Sequence, residues 1–295
     1  MRGAFSLPSF AKINWTLRIG AKRDDGFHEL CTVFQTVSLC DRLYFGDSST
    51  LTLTCDDPGI PTDERNIVFR AANILKERFA TDRGAEIHLE KVIPSPGGLG
   101  GGSSNAAVAL IGLSRLWDLG DSVDLPSMAA ELGSDTSFFL HGGTALGTGR
   151  GECIEPVREL HERHLLIVTP ASVVPTREAF ARIDTSSLTS EAQNHNLTVC
   201  RIEAKSLDLR HSALINDFEA SVFEAHPEIG RVKDTLLELG AVNAAMSGSG
   251  ASVFAIFDNI ETRQATMKAL DIESTWRQFA VATISRSQYR EALRF

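Results

Sequence analysis

Residues 10–19 alternate: Ala11, Ile13, Trp15, Leu17 and Ile19 are apolar, whereas Lys12, Asn14, Thr16 and Arg18 are polar. Successive side chains of a strand point to opposite faces, so this segment reads as a half-buried strand with one core face and one polar face. Residues 32–44, 50–55 and 85–92 read as further strands, and residues 66–79 as a helix. After a glycine cluster, a strong helical stretch runs from about residue 104 to 119. Residues 126–132 form a short helix that Gly133 closes, glycine being a common helix stop. A glycine-punctuated hairpin follows over residues 144–157. The second half opens with a strand at 164–169 and continues with helices near 176–183, 217–225 and 228–239. Strand segments surround a glycine-serine turn at 247–250, and a helix at 261–270 and a strand at 279–285 close the chain. Strands and helices mix without a strict βαβ rhythm, which predicts an α+β fold with antiparallel sheets.

Composition narrows this picture. The chain has 295 residues, 43% hydrophobic and 23% charged, which excludes wholesale disorder and a fibrous protein and fits one large domain or two ordinary ones. Its longest run of leucine, isoleucine and valine, residues 165–168, is far short of the ~20 residues of a membrane helix. The stretch from Met1 to Trp15 has no sustained apolar core of a secretory signal, so a cytoplasmic protein is expected. Five scattered cysteines (Cys31, Cys40, Cys55, Cys153 and Cys200) suit a reducing compartment better than a disulfide framework. The net charge of −9 argues against nucleic acid and anionic membranes as partners, but not against small anionic ligands held by a few local donors. His161-Glu162-Arg163-His164 is one residue short of a zinc-protease motif and runs into a strand, so no metal site is expected there.

The most informative chemistry lies between strand and helix, in Pro94-Ser95-Pro96-Gly97-Gly98-Leu99-Gly100-Gly101-Gly102-Ser103-Ser104-Asn105. Five glycines within residues 97–102 let the backbone approach a ligand closely, and the following helix start offers unpaired N–H groups to a phosphate chain. Ser103, Ser104 and Asn105 could cap that helix or contact phosphate. A Walker A loop is excluded because the chain has no Gly-Lys pair. The dinucleotide fingerprint fails too, since Ser103 stands where its third glycine belongs, and the protein-kinase motifs are missing.

The loop resembles that of the GHMP kinases, Pro-x-x-x-Gly-Leu-Gly-x-Gly/Ser-Ser-Ser. Further blocks in the family's order are Ala11-Lys12-Ile13-Asn14 with Asp25-Gly26-Phe27-His28-Glu29-Leu30, then Leu132-Gly133-Ser134-Asp135, Val174-Pro175-Thr176 and Ser247-Gly248-Ser249-Gly250. The resemblance implies a two-domain fold: a ribosomal protein S5 domain 2-like ATP-binding domain over residues 1–160, then a ferredoxin-like domain over 161–295. It implies ATP and Mg²⁺ as cofactors, and Lys12 and Asp135 as the catalytic pair. By the same resemblance Pro94, Gly97, Gly98, Leu99, Gly100, Gly101, Gly102, Ser103, Ser104, Asn105, Ser247 and Gly248 bind the nucleotide cofactor, while no protein ligand of the metal is implied. Gly26-Phe27-His28 narrows the resemblance to the branch that phosphorylates the 2-hydroxyl of 4-diphosphocytidyl-2-C-methyl-D-erythritol, in non-mevalonate isoprenoid precursor synthesis.

Acceptor contacts would then be Asn14, Phe27, His28, Thr176 and Phe180, with cytosine between the rings of Phe27 and Phe180 and read by His28. Phe27 replaces the family's usual tyrosine, which keeps the aromatic face and loses a hydroxyl; Thr136-Ser137 stand where the family more often has Val-Pro. From the residues alone, other readings stay open: Lys12 as a solvated strand lysine, Asp135 as a helix cap, His28 as a turn histidine. Other GHMP small-molecule kinases, for mevalonate, homoserine or a sugar, and a non-catalytic nucleotide-binding regulator are the alternatives. A monomer or weak homodimer is expected.

Overall fold

The computed structural model describes residues 4–79, 81–120, 123–183, 198–202, 204 and 206–294. Strands β1 (Phe5–Lys22) and β2 (His28–Ser48) pair antiparallel along nearly their whole length. The other edge of β2 is shared. Its first part takes β5 (Thr144–Gly149) and its later part β4 (Gly84–Glu90). Beyond these lie β6 (Cys153–Pro156) and β3 (Leu51–Cys55), the latter parallel to β4, completing a six-stranded sheet.

Helices α1 (Ile67–Phe79), α2 (Gly101–Trp117) and α3 (Leu125–Leu132) cover one face of that sheet. Val68, Ala71 and Leu75 of α1 and Ala109, Leu110 and Leu113 of α2 meet Leu43, Phe45 and Ile87 in one buried core. A second sheet has the order β10 (Arg277–Val281), β7 (Leu165–Thr169), β9 (Val253–Ile256), β8 (Asn243–Met246), all antiparallel. Around it stand α4 (Thr176–Ala181), α5 (Glu219–Ala225), α6 (Pro227–Glu238) and α7 (Ile260–Ala269). The apolar face of β1 is the seam between the sheets: Ile13 and Trp15 pack with Leu165, Ile167 and Phe254, the Trp15 and Phe254 rings meeting edge-on at 5.3 Å. The fold is α+β, and among the described residues no helix is long and apolar enough to cross a membrane.

Three expectations need correction. The polar face of β1 is not solvated: Lys12, Asn14 and Thr16 are only 3%, 2% and 4% exposed, because Lys12 and its neighbours lie beneath the glycine loop and the Asp135 segment. The helix expected from residue 104 starts at Gly101, inside the glycine run, with Gly100 as its cap. The strand expected to close the chain over residues 279–285 ends at Val281, and α8 (Arg286–Ala292) follows. Ser285 and Gln288 form a capping box at its start, and Tyr289 and Leu293 return to the core of the first sheet. In the His161–His164 stretch, Glu162 accepts from the N–H groups of Arg163 and His164 and pairs with Arg210.

Candidate active site

The glycine loop is held on three sides. The carbonyl of Leu99 accepts from the Lys12 N–H at 2.9 Å, using the edge of β1 that β2 leaves free. Gly97 accepts from Ser252 N–H at 3.2 Å, and Gly98 from the Ser247 hydroxyl at 3.0 Å, so the loop is stitched to the β8–β9 turn of the second sheet. Gly98 (φ +72°) and Gly100 (φ +69°) sit in the left-handed region, and a Cβ on Gly98 would overlap the Ser247 carbonyl. Gly100 caps α2 without any side-chain hydrogen bond, and the first helical bond is Ser104 N–H to Gly100 at 2.9 Å. The N–H groups ahead of it, on Gly101, Gly102 and Ser103, belong to residues lining the cleft, at the positive end of a 17-residue helix. That is the chemistry of a phosphate cradle.

A buried carboxylate anchors the loop from below. Asp41 is fully buried; its Oδ1 accepts from the N–H groups of Val92 and Ile93, both at 2.7 Å. Its Oδ2 takes Lys91 Nζ at 3.1 Å and Asn105 Nδ2 at 3.0 Å. Lys91 also donates to the Ile93 carbonyl. Asp41 therefore ties the segment entering the loop to the helix leaving it. Two of the expected phosphate contacts are spent on such packing. Ser104 is hydrogen-bonded to the Ser9 hydroxyl at 2.7 Å, and Asn105 to Asp41; both are buried and neither lines the cleft, because α2 begins early and turns them inward. Ser247 is likewise buried against Gly98. Pro94, Gly97, Gly98, Leu99, Gly100, Gly101, Gly102, Ser103 and Gly248 all line the cleft.

Lys12 and Asp135 come together at the loop's edge. Their Nζ and Oδ2 atoms are 3.5 Å apart, with the lysine side chain 4% and the aspartate 36% exposed. Asp135 sits in a 3-10 turn, Ser134–Thr136, just after α3, whose C-cap is Gly133. Lys12 Nζ also donates to Asn14 Oδ1 at 2.7 Å; Asn14 Nδ2 donates to the Thr32 hydroxyl, which donates to the Thr16 carbonyl. Burial lowers the Lys12 pKa below the ordinary lysine value, and the Asp135 charge offsets part of that shift. Gly248 backs directly onto the ammonium.

From this pair the cleft, about 1110 Å³ in volume, runs to an aromatic and basic rim. His28 and Phe180 stack with centroids 5.5 Å apart and an interplanar angle of 13°. Phe27, 53% exposed, instead faces the Arg150 guanidinium at 4.9 Å. The expected facing pair of rings is thus two separate pairs on one rim. Partial burial, with the nearby Lys22 charge, lowers the His28 pKa, so the imidazole is neutral near pH 7. Thr176, whose hydroxyl is 3.0 Å from that of Ser249, does not cap its helix; the N-cap is Pro175. Asn14 lines the cleft as expected. Arg150, Arg177, Lys22 and Phe34 line it too and were not anticipated. For Arg150 a signal existed: a cationic residue between Gly149 and Gly151 in a hairpin turn of an acidic chain.

A cradle for a polyphosphate beside a buried lysine paired with an aspartate is the arrangement of a small-molecule kinase. The chain belongs to the GHMP kinases: the family model of the GHMP kinases N terminal domain matches residues 66–143, and that of the GHMP kinases C terminal region residues 201–272. A 4-diphosphocytidyl-2-C-methyl-D-erythritol kinase of Synechococcus sp. is 38% identical over 267 residues, 88% of this chain and 86% of that protein. That of Protochlamydia amoebophila is 36% identical over 289 residues, 97% of this chain and 93% of the relative. A crystal structure of 4-(cytidine 5'-diphospho)-2C-methyl-D-erythritol kinase superposes with a TM-score of 0.77 at 29% identity, covering 95% of this chain and 99% of the other. Within the GHMP kinases, this chain falls in the family of these relatives.

Proposed function

We propose that the protein uses ATP to phosphorylate the 2-hydroxyl of 4-diphosphocytidyl-2-C-methyl-D-erythritol, a step of non-mevalonate isoprenoid precursor synthesis. The observation that carries this reading is the Lys12–Asp135 pair, its lysine buried, set between the glycine loop at one end of the cleft and the Phe27–Arg150 and His28–Phe180 pairs at the other. Phosphoryl transfer asks a protein mainly for positioning and charge stabilisation. In this proposal the N–H groups of Gly101, Gly102 and Ser103 hold the ATP phosphates. Asp135 accepts the proton of the acceptor hydroxyl as its oxygen bonds to the γ-phosphorus and ADP leaves. Lys12, 3.5 Å from that carboxylate, stabilises the charge building on the transferred group. Asn14, fixed by Thr32, holds Lys12 and meets the methylerythritol end.

The cytosine stacks on the aromatic rim and is read by neutral His28, while Arg150 receives the acceptor's diphosphate. Among the described residues no three His, Cys, Asp or Glu side chains gather as a metal centre. An ion held chiefly by phosphate oxygens and water, with Ser103 and Asp135 as the oxygen donors at that end of the cleft, suits this donor set. Bound there, Mg²⁺ would neutralise charge on the ATP phosphates. The ATP-binding domain in this reading spans residues 1–160 and the second domain 161–295, in a monomer or weakly associating dimer working in the cytoplasm.

ADP release measured against a panel of alcohols tests the assignment. Turnover is expected with the cytidine acceptor and not with homoserine, mevalonate or galactose. Turnover of one of those in its place would overturn it.

A further inference from the structure

Asp25 and Glu29 flank the Phe27–His28 pair in sequence, yet neither lines the cleft. Their hydrogen bonds face the chain itself. The loop between β1 and β2 closes on itself: Arg23 N–H donates to the Phe27 carbonyl at 2.7 Å, and Phe27 N–H to Asp25 Oδ1 at 3.1 Å. Glu29 then reaches in two directions. Its Oε2 accepts from Arg23 Nη1 at 2.8 Å, within that loop, and its Oε1 accepts from Gly149 N–H at 3.1 Å, in the hairpin between β5 and β6. Leu30 and Gly149 are the last register partners of β2 and β5. The Glu29 side chain thus continues the pairing where the two backbones part. Arg150 is the next residue, and its guanidinium stands over Phe27.

We propose that Glu29 is a positioning residue for acceptor recognition, its carboxylate locking the Phe27–His28 loop to the Arg150 hairpin so that base and diphosphate are met at a fixed spacing. This rests on the cytidine acceptor assigned above. The Arg23 and Glu29 side chains are 36% and 27% exposed, so the ion pair contributes little to stability. What it supplies is geometry, and a loop already held in its binding conformation gains affinity by avoiding the ordering cost on binding. ATP is held at the other end of the cleft and should not register the change.

Glu29→Ala should raise the acceptor KM about 10-fold, leave the ATP KM and kcat within about two-fold, and leave the melting temperature within ~2 °C. Glu29→Gln, whose amide oxygen can still accept from Gly149 N–H, should show a smaller rise. In a Phe27→Ala background, Glu29→Ala should cost less than in wild type, because Phe27 is one of the contacts that Glu29 positions. An acceptor KM within two-fold of wild type would overturn the proposal, as would a parallel rise in both KM values with a fall in melting temperature, or full additivity with Phe27→Ala. Wild-type protein that turns over a different alcohol would overturn the acceptor assignment and this inference with it; wild-type turnover with an indifferent Glu29→Ala sinks this inference alone.

Discussion

Asp41→Ala probes how the phosphate cradle is held without touching the cradle. The carboxylate is fully buried and receives two backbone N–H groups at 2.7 Å, Lys91 Nζ at 3.1 Å and Asn105 Nδ2 at 3.0 Å. Removing it strands a lysine that is itself 4% exposed, along with the Val92 and Ile93 donors. Breaking one side of a buried ion pair costs about 3–5 kcal/mol, because the remaining charge stays desolvated. For a chain of this size that corresponds to a fall in melting temperature on the order of 10 °C. Since the same donors set the path of residues 91–93 into the loop, the ATP KM should rise as well. Asp41→Asn, which keeps an acceptor oxygen and loses the charge, should fall between. Replacing both partners, as Asp41→Leu with Lys91→Met, should recover part of the stability by removing the unpaired charge. Thermal unfolding followed by circular dichroism, with steady-state kinetics in ATP, reads both effects. A loss under about 2 °C in Asp41→Ala with an unchanged ATP KM would refute the reasoning.

Asp135→Asn should lower kcat by ~10²-fold or more in a folded protein that still binds ATP, as expected for loss of a proton acceptor; stopped-flow turnover and a thermal melt check both parts. Burial lowers the Lys12 pKa from 10.5, so the ammonium loses its proton as pH rises through a lower value than an exposed lysine would, and the alkaline limb of the kcat profile should begin correspondingly early. Lys12→Arg, permanently charged, should remove that limb from whatever activity it retains. Gly98→Ala must place a Cβ against the Ser247 carbonyl at φ +72°, and should cost about 2–4 kcal/mol in urea unfolding through backbone strain and overpacking.

Much of this architecture was legible in the chain. The alternation through Lys12 and Trp15, the glycine stop at Gly133 and the turn at Ser247–Gly250 each follow from a local pattern, and each lies in the structure where that pattern predicts. What escaped is non-local. The polar face of β1 reads as solvated because alternation reports two faces and cannot report what covers the second one. Ser104 and Asn105 carry the right chemistry for phosphate, but the helix register that turns them inward depends on where α2 begins within a run of glycines. Asp41 gave no signal at all: an aspartate inside a strand is ordinary until Lys91 and Asn105 are brought to it from 50 and 64 residues away. The C-terminal helix was signalled by Ser285 and Gln288, but its seven residues carry too short an apolar pattern to stand out. Its importance is tertiary: the Tyr289 hydroxyl donates to the Phe139 carbonyl at 2.6 Å, close behind the turn that bears Asp135.

Phosphorus NMR of the product formed from ATP and 4-diphosphocytidyl-2-C-methyl-D-erythritol tests the central claim most directly. ADP is expected together with one new phosphomonoester on the C2 oxygen of the methylerythritol, formed by wild-type protein and nearly abolished by Asp135→Asn. A phosphate on any other hydroxyl, or product formed at an undiminished rate by the Asp135→Asn protein, would contradict it.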